Sequence, residues 1–297
     1  MSNKPRKMTL EKKHNLTGWA FLAPATFLIA VFSFWPMIKA LVLSFQTGKG
    51  RNMQMAGFTN YIRMFQDDVF IQSIKNTFFY FIIQVPIMLV VALVLACILN
   101  KKDLRFKGFF RTMIFVPCTT SLVAYSIIFR SLFANNGLVN YVLVNIGILD
   151  KPYNFLTQPF AAKMVILLGL LWRWTGYNMV FFLSGLQNIE YSVYEAAKID
   201  GASAIQTFFK ITVPLLKPTI LLTAIMSTNG TLQLFDESVN LTDGGPANAS
   251  ISMSHYIYNL CFKYVPNFGY AAAMSFFILL LVAVLAFIQM RVGDKRD

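Results

Sequence analysis

The stretch that decides the fold runs from position 185 to 218 and reads GLQNIEYSVYEAAKIDGASAIQTFFKITVPLLKP. It is the longest polar and amphipathic segment between two apolar runs. Ser192 and Glu195 stand three residues apart, which is the spacing of a capping box. The pattern therefore predicts a short helix over 193–199.

Turn signals follow that helix. Gly201 would end it in a turn with positive φ, which a side chain would oppose. Ser203 would begin a second short helix over 204–209, and prolines 214 and 218 lead into the next apolar run. Apolar side chains at helical spacing usually face their own protein, which is the expectation for Ile205, Phe208 and Phe209. The segment is predicted to be a helix, a tight turn and a helix.

The composition excludes an ordinary soluble domain. Of the 297 residues, 56% are hydrophobic and 13% are charged, against about a quarter charged in globular proteins. The net charge of +13 would suit a nucleic-acid binder, but long charge-free runs would not. In a membrane protein, excess Lys and Arg is expected on cytoplasmic loops. The three cysteines show no metal spacing and imply no disulfide framework.

Six runs approach the ~20 residues that a bilayer crossing needs. They cover 18–39, 78–99, 111–129, 162–183, 219–235 and 271–290. The third and fifth runs carry polar residues, at 119–121 and 227–231. Polar groups at membrane depth must meet protein or water, so these two spans are predicted to lie inside the bundle.

The distribution of basic residues predicts the orientation. With both chain ends inside, the inner segments hold 16 of the 26 Lys and Arg, and the outer loops hold seven. This asymmetry follows the positive-inside rule. It places 185–218 in the cytoplasm and divides the chain into a tail (1–17), a six-helix domain (18–290) and a second tail (291–297).

The same segment resembles the EAA loop of ABC importer permeases. The pattern is Glu195-Ala196-Ala197, then Gly201, Ile211 and Val213-Pro214, with Val213 where the family usually has Leu. The motifs LTDGGP (241–246) and NFGYAAAMS (267–275) are similar to those of the carbohydrate-uptake branch. The resemblance implies an all-α membrane protein with the type I ABC importer permease fold, in a bacterial-type plasma membrane.

The resemblance also implies partners. The 185–218 loop would be the coupling helix that docks on a cytoplasmic ATPase, and two ATPases would bind the ATP and Mg²⁺, so this chain holds no cofactor. A second, homologous permease would complete a heterodimer, and an extracytoplasmic binding protein would deliver a sugar. The residues assigned to ATPase coupling are Glu195, Ala196, Ala197, Asp200, Gly201, Ile205 and Pro214.

The sequence shows no energy source for transport within the chain itself. It has no P-loop motif, and its acidic residues fall in tails or loops, whereas an ion-coupled carrier usually needs an ionisable group in the membrane. Arg173 is the one charge that lies deep within a span and not at its end, and it is interpreted as a snorkelling or capping cation or, less favoured, as a donor to substrate hydroxyls. His14 and His255 have no partner at metal-ligand spacing.

A substrate path is predicted between the fourth and fifth spans. Flat aromatic faces and a few hydrogen bonds hold sugars, and the fourth span has an aromatic and polar cluster. The fifth span has a stripe of small and polar residues, which would also serve close helix packing. The residues assigned to the path are Trp174, Tyr177, Asn178, Ser227, Gly230, Thr231 and Leu234.

Alternatives remain at this point. The cargo of the same family could be glycerol phosphate or a polyol, although phosphate would favour further basic residues near the midplane. A stand-alone secondary carrier would need membrane carboxylates that the spans lack. For the tryptophans, an aromatic belt at the membrane interface competes with sugar contact.

Overall fold

A computed structural model describes residues 9–49, 52–101 and 103–293, and this part of the chain is almost entirely helical. The N-terminal part holds α1 (Leu10–Ile29), α2 (Trp35–Ser44), β1 (Gln46–Lys49), β2 (Asn52–Met55), α3 (Thr59–Met64) and α4 (Asp68–Asn100). The middle holds α5 (Lys107–Thr119), α6 (Leu122–Leu132), α7 (Leu138–Asn145) and α8 (Pro159–Gln187). Then come α9 (Tyr191–Ile199), α10 (Ala204–Thr207), α11 (Val213–Leu215), α12 (Lys217–Leu232), α13 (Asp236–Thr242), α14 (Met253–Tyr258) and α15 (Phe268–Gly293). The π-helical turns are Ala30–Phe34, Phe208–Thr212 and Asn259–Lys263.

The all-helical class predicted from the sequence is confirmed. Among the described residues, four helical segments are long and apolar enough to cross a membrane. The number rises to six if each of two bent helix pairs is counted as one span. The four are Leu10–Ser44, Asp68–Asn100, Pro159–Gln187 and Phe268–Gly293, each longer than the apolar run that predicted it. One short antiparallel hairpin, β1–β2, was not predicted.

The third predicted span is broken where its polar residues lie. α5 and α6 meet at 98° across Thr120 and Ser121. Pro117 brings no backbone N–H to the helix, and the hydroxyls of Thr119 and Thr120 both donate to Val116 O, at 2.8 and 3.2 Å. These side chains replace helical backbone bonds, so the chain turns there instead of continuing straight. The fifth predicted run, 219–235, corresponds largely to α12, and a bend of 71° separates Lys217–Leu232 from the preceding Ala204–Leu215.

The core lies between α4 and α8, with α5 and α12 packed on them. Tyr80 and Ile166 are fully buried at this contact. Gly176 lets α5 approach α8 closely, because an added Cβ would clash with Ile114 O. At the start of α4, Asp67 accepts from the N–H of Val69 and from the hydroxyls of two tyrosines on α14 and α15, Tyr256 and Tyr270.

The N-terminal helix stands apart from this core. None of the apolar window in Leu10–Ser44 is buried within the chain, and large side chains such as Trp19, Phe21 and Phe32 are exposed. A helix that is apolar all round is covered by lipid or by another chain. α1 begins at Leu10, so part of the predicted tail 1–17 is helical. Residues 1–8 and 294–297, in the two predicted tails, lie outside the described part.

Candidate functional site

The first helix of the 185–218 segment begins differently from the prediction. α9 starts at Tyr191, after Glu190 as the N-cap, and no side chain caps it. Ser192 lies in the first turn, where its hydroxyl donates to Glu190 Oε2 at 3.3 Å. The predicted capping box of Ser192 and Glu195 is therefore wrong, and Glu195 is an exposed residue of the helix body.

The turn after α9 forms as predicted. Gly201 adopts φ +73°, in the left-handed region that favours glycine. The N–H of Ala202 donates to Ala197 O at 2.9 Å, and the N–H of Gly201 donates to Lys198 O at 3.2 Å. This pair of bonds is the Schellman ending of a helix, so Gly201 both stops α9 and satisfies its last carbonyls.

The second short helix has the capping box that the first one lacks. The N–H of Gln206 donates to Ser203 Oγ, and the N–H of Ser203 donates to Gln206 Oε1. The start predicted at Ser203 is confirmed. The chain then passes through a π-helical turn, Phe208–Thr212, into α11.

Buried contacts tie the segment to the helix bundle. Phe208 packs on the cluster formed by the ends of α4 and α8, and Leu216 is buried there. The Tyr194 hydroxyl lies 3.3 Å from the Thr212 hydroxyl, which joins α9 to the end of the π-helical turn. At Gly185 an added Cβ would lie 2.8 Å from Leu216 Cδ2, so the end of α8 and the start of α12 are in close contact. The segment is thus packed against both helices that it connects.

Its other side carries exposed apolar side chains. Ile199 is 86% exposed, Ile205 is 71% exposed and Phe209 is 65% exposed. The expectation that Ile205 and Phe209 pack into this chain is wrong. These two residues are four apart and project from the exposed side of the segment, whereas Phe208 projects toward the bundle. Exposed apolar groups on a polar segment are typical of a protein contact.

Most residues assigned to ATPase coupling share this exposure. Those with exposed side chains or backbone are Glu195, Ala196, Asp200, Gly201, Ile205 and Pro214. Ala197 is the exception, because it lies on the buried face of α9 and is not available for contact with another protein.

Deeper in the bundle, a chain of polar side chains links α4, α8 and α12. Thr231 Oγ1 donates to Gln84 Oε1 at 2.6 Å, and Ser227 Oγ donates to Asn178 Oδ1 at 3.2 Å. Gln84 Nε2 and Asn178 Nδ2 both point at Met88 Sδ, at 3.1 and 3.4 Å. Most of these polar atoms therefore bond to one another across three helices.

This polar chain contains three of the seven residues predicted for a substrate path. Asn178 and Thr231 are buried, and Ser227 is half-buried. Gln84 was not among the predicted residues, although an amide in the middle of the apolar run 78–99 is a signal that the sequence contains. Leu234 is buried in the core, while Trp174 and Tyr177 are half-buried and pack edge to face.

Gly230, the remaining path residue, faces away from the chain on the exposed side of α12. Next to it, the side chains of Asn229 and Gln233 are exposed and hydrogen-bonded to each other. They line a cavity of about 580 Å³ together with Ser254, Ser275 and an apolar wall from α14 and α15. Exposed amides on a membrane-spanning helix need water or another protein beside them, so this polar face borders an aqueous space or a partner chain.

Arg173 is buried, which neither interpretation of it predicted. Only 7% of the residue is exposed, and Nε and Nη1 are buried without a hydrogen-bond partner. The guanidinium lies 5.7 Å from the Tyr125 ring and 5.5 Å from the Trp174 ring. Burial raises the pKa of the nearby Glu237 carboxyl on α13, and the charge of Arg173 acts in the opposite direction. A snorkelling role for Arg173 is therefore wrong.

The LTDGGP motif builds a second polar cluster, around His255. The buried imidazole Nδ1 lies 2.9 Å from Ser238 Oγ, and Nε2 lies 3.6 Å from Asp243 Oδ1. Asp243 also binds Lys263 Nζ at 2.8 Å. Burial lowers the pKa of His255 to about 4, and Lys263 acts in the same direction while Asp243 opposes both. His255, which seemed isolated in the sequence, thus fastens α14 to the motif.

Comparison with known proteins gives one family. Residues 68–296 match the family described as "Binding-protein-dependent transport system inner membrane component". The chain is 51% identical over 292 residues to the lactose transport system permease protein LacF of Rhizobium radiobacter, covering 98% of each chain. It is 31% identical over 280 residues to the arabinooligosaccharides transport system permease protein AraP of Bacillus subtilis, covering 93% of this chain and 88% of that one.

A solved structure shares the fold. A chain of a bacterial ABC transporter involved in the import of the acidic polysaccharide alginate superposes with a TM-score of 0.84 at 23% identity. The superposition covers 96% of this chain and 97% of that one. The agreement extends over nearly every described helix.

Proposed function

This chain belongs to the family of binding-protein-dependent transport system inner membrane components, and from that premise we propose that it carries a sugar or oligosaccharide across the membrane. It is a transport component and not an enzyme. This cargo is proposed because the two relatives above are named as permease proteins of lactose and arabinooligosaccharide transport systems. The plasma membrane of a bacterium is the proposed location, with both chain ends in the cytoplasm.

The coupling mechanism rests on one observation, which is that the 185–218 segment has an exposed apolar side and a side packed against the bundle. Ile199 and Ile205 project outward, while Phe208 and Leu216 are packed against the bundle. An ATPase that held the outward side would move the segment as a rigid body. Since the segment packs against the end of α8 and the start of α12, that movement would reach the helices that carry the polar chain.

A complete importer requires further chains. We propose two ATPase subunits, which bind ATP and Mg²⁺, and an extracytoplasmic binding protein that delivers the sugar. A second permease would form a heterodimer with this chain. The exposed polar face at Asn229, Gly230 and Gln233 supports that pairing, because it is the kind of surface that a second bundle would enclose around a hydrophilic path.

The test is reconstitution of the whole complex in proteoliposomes, with uptake of a labelled disaccharide measured alongside ATP hydrolysis. Uptake should require ATP and the binding protein, and this chain alone should move no sugar under an ion gradient. Glu195→Lys and Gly201→Asp should leave insertion intact and uncouple hydrolysis from uptake. Full uptake by both variants would contradict the assignment of the segment, and uptake by the lone chain would contradict the whole proposal.

A further inference from the structure

A large crevice lies beside the 185–218 segment, on the side away from Ile199 and Ile205. Its volume is about 1070 Å³, at the upper end of small-molecule sites. Its walls are the last turn of α4, the residues just after it, the end of α8, and one side of α9 and α10. The segment therefore does not pack against α4 along its whole length, and the crevice separates them along one edge.

The short helices show one face to the crevice and another to the outside. Tyr191, Tyr194 and Lys198, spaced i, i+3 and i+7 on α9, line the crevice. Ala196 and Ile199 lie on a different face of the same helix and are exposed. The crevice is therefore separate from the surface proposed for the ATPase.

The lining combines apolar side chains with two exposed lysines. Ile98, Leu104 and Ile189 supply apolar walls, and the exposed Lys101 and Lys198 supply cations. One carboxylate, Asp103, also lines the crevice, so the lysines outnumber the acidic groups described there. An occupant with an anionic head and an apolar body matches this distribution of charge.

The crevice also lies at the depth where such an occupant is found. α4 is a membrane-spanning helix, and its last residue, Asn100, lines the crevice together with Val94 one and a half turns earlier. In the proposed orientation, on which this step depends, that end of α4 meets the cytoplasmic leaflet. Basic pockets between helices on this side of a membrane bind anionic lipid headgroups.

We infer that the crevice is a binding site for an anionic phospholipid of the cytoplasmic leaflet. The phosphate lies between Lys101 and Lys198, and the acyl chains run along Ile98 and Leu104. A lipid so placed touches both α4 and the short helices α9 and α10, so it fixes the distance between the bundle and the segment.

The first test is native mass spectrometry of the complex taken from vesicles of phosphatidylcholine with phosphatidylglycerol. The double variant Lys101→Gln/Lys198→Gln should retain at least one phosphatidylglycerol fewer than the unchanged protein. The matched control Lys107→Gln/Lys210→Gln removes two charges nearby, outside the crevice lining, and should retain as many as the unchanged protein. Equal retention in both double variants would overturn the inference.

The second test locates the lipid through Cys97, which lines the crevice. In a Cys118→Ser/Cys261→Ser background, a small maleimide should label Cys97 at least several-fold more slowly in phosphatidylglycerol vesicles than in phosphatidylcholine vesicles. Inorganic phosphate should give no such protection, which separates a lipid from a free anion. Protection that depended on the ATPase and not on the lipid would overturn the inference in favour of a protein occupant. Failure of transport with protection intact would count against the proposed function alone.

Discussion

The hydroxyl of Thr231 on α12 donates a 2.6 Å hydrogen bond to the side-chain carbonyl of Gln84 on α4. Both residues are buried, and a hydrogen bond in a low-dielectric interior is strong and costly to break. Together with the bond between Ser227 and Asn178, it fixes α12 against α4 and α8. The small polar stripe of α12 thus has a packing role on one side and a polar exposed side at Gly230.

Two tryptophan substitutions on adjacent residues separate these roles. Thr231→Trp should prevent normal folding, because Thr231 is 5% exposed and its hydroxyl is bonded to Gln84. Gly230→Trp should leave folding intact, because an added Cβ at Gly230 has no neighbour within 4 Å. It should nevertheless lower sugar uptake at least tenfold, since the ring would occupy the polar face next to Asn229.

The measurements are thermal unfolding in detergent and uptake in proteoliposomes. Gly230→Ala serves as the control for Gly230→Trp and should keep both stability and uptake. If Gly230→Trp transports normally, α12 does not border the path. If Thr231→Trp unfolds at the same temperature as the unchanged protein, the bond to Gln84 contributes nothing to stability.

The helices were predictable where one physical signal dominated. The apolar runs that became α4, α8 and α15 predicted membrane-spanning helices, because a bilayer requires long uninterrupted hydrophobicity. Their full lengths could not be predicted. α4 starts at Asp68 because the Asp67 carboxylate caps it, and Asp67 is held by Tyr256 and Tyr270 from far along the chain. Such distant contacts leave no local pattern.

In the candidate site, the turns could be predicted from the sequence, but which side chains are exposed and which are buried could not. Gly201 acts through its own backbone and Ser203 through bonds to a residue three positions away, so local rules sufficed for them. The exposure of Ile205 and the burial of Arg173 depend on which other helices lie beside them, and composition alone does not contain that information. The polar chain was predictable in part, because Asn178, Ser227 and Thr231 were singled out while Gln84, the partner of Thr231 on α4, was not.

The two faces of the short helices predict opposite effects of two substitutions. Ile205→Glu should weaken ATPase association about tenfold, because it puts a charge on an exposed apolar contact, and should leave permease stability unchanged. Phe208→Ala should lower the stability of the permease by about 2 kcal/mol, because Phe208 packs on the cluster at the ends of α4 and α8. Co-purification with the ATPase and thermal unfolding measure the two effects. Normal ATPase binding by Ile205→Glu would place the docking surface elsewhere.

Close helix packing at α5 makes another matched pair. Gly176→Ala should destabilise the protein by about 1–3 kcal/mol, because the new Cβ would clash with Ile114 O and α5 would have to move away from α8. Gly108→Ala, on the exposed side of α5, meets nothing within 4 Å and should be neutral or slightly stabilising. Thermal unfolding compares them, and equal melting temperatures would show that α5 can shift at no cost.

The buried His255 predicts a loss of stability in mild acid. The folded protein holds the pKa of His255 at about 4, below its ordinary value of 6.5, chiefly through burial. Between those pH values the unfolded chain binds a proton that the folded chain does not, so stability falls as the pH drops. The slope should be about 1 kcal/mol per pH unit below about pH 6.5. It should disappear in His255→Gln and persist in His14→Gln, the exposed histidine of α1. Thermal unfolding from pH 7 to pH 5 measures it, and an unchanged slope in His255→Gln would assign the acid sensitivity to other groups.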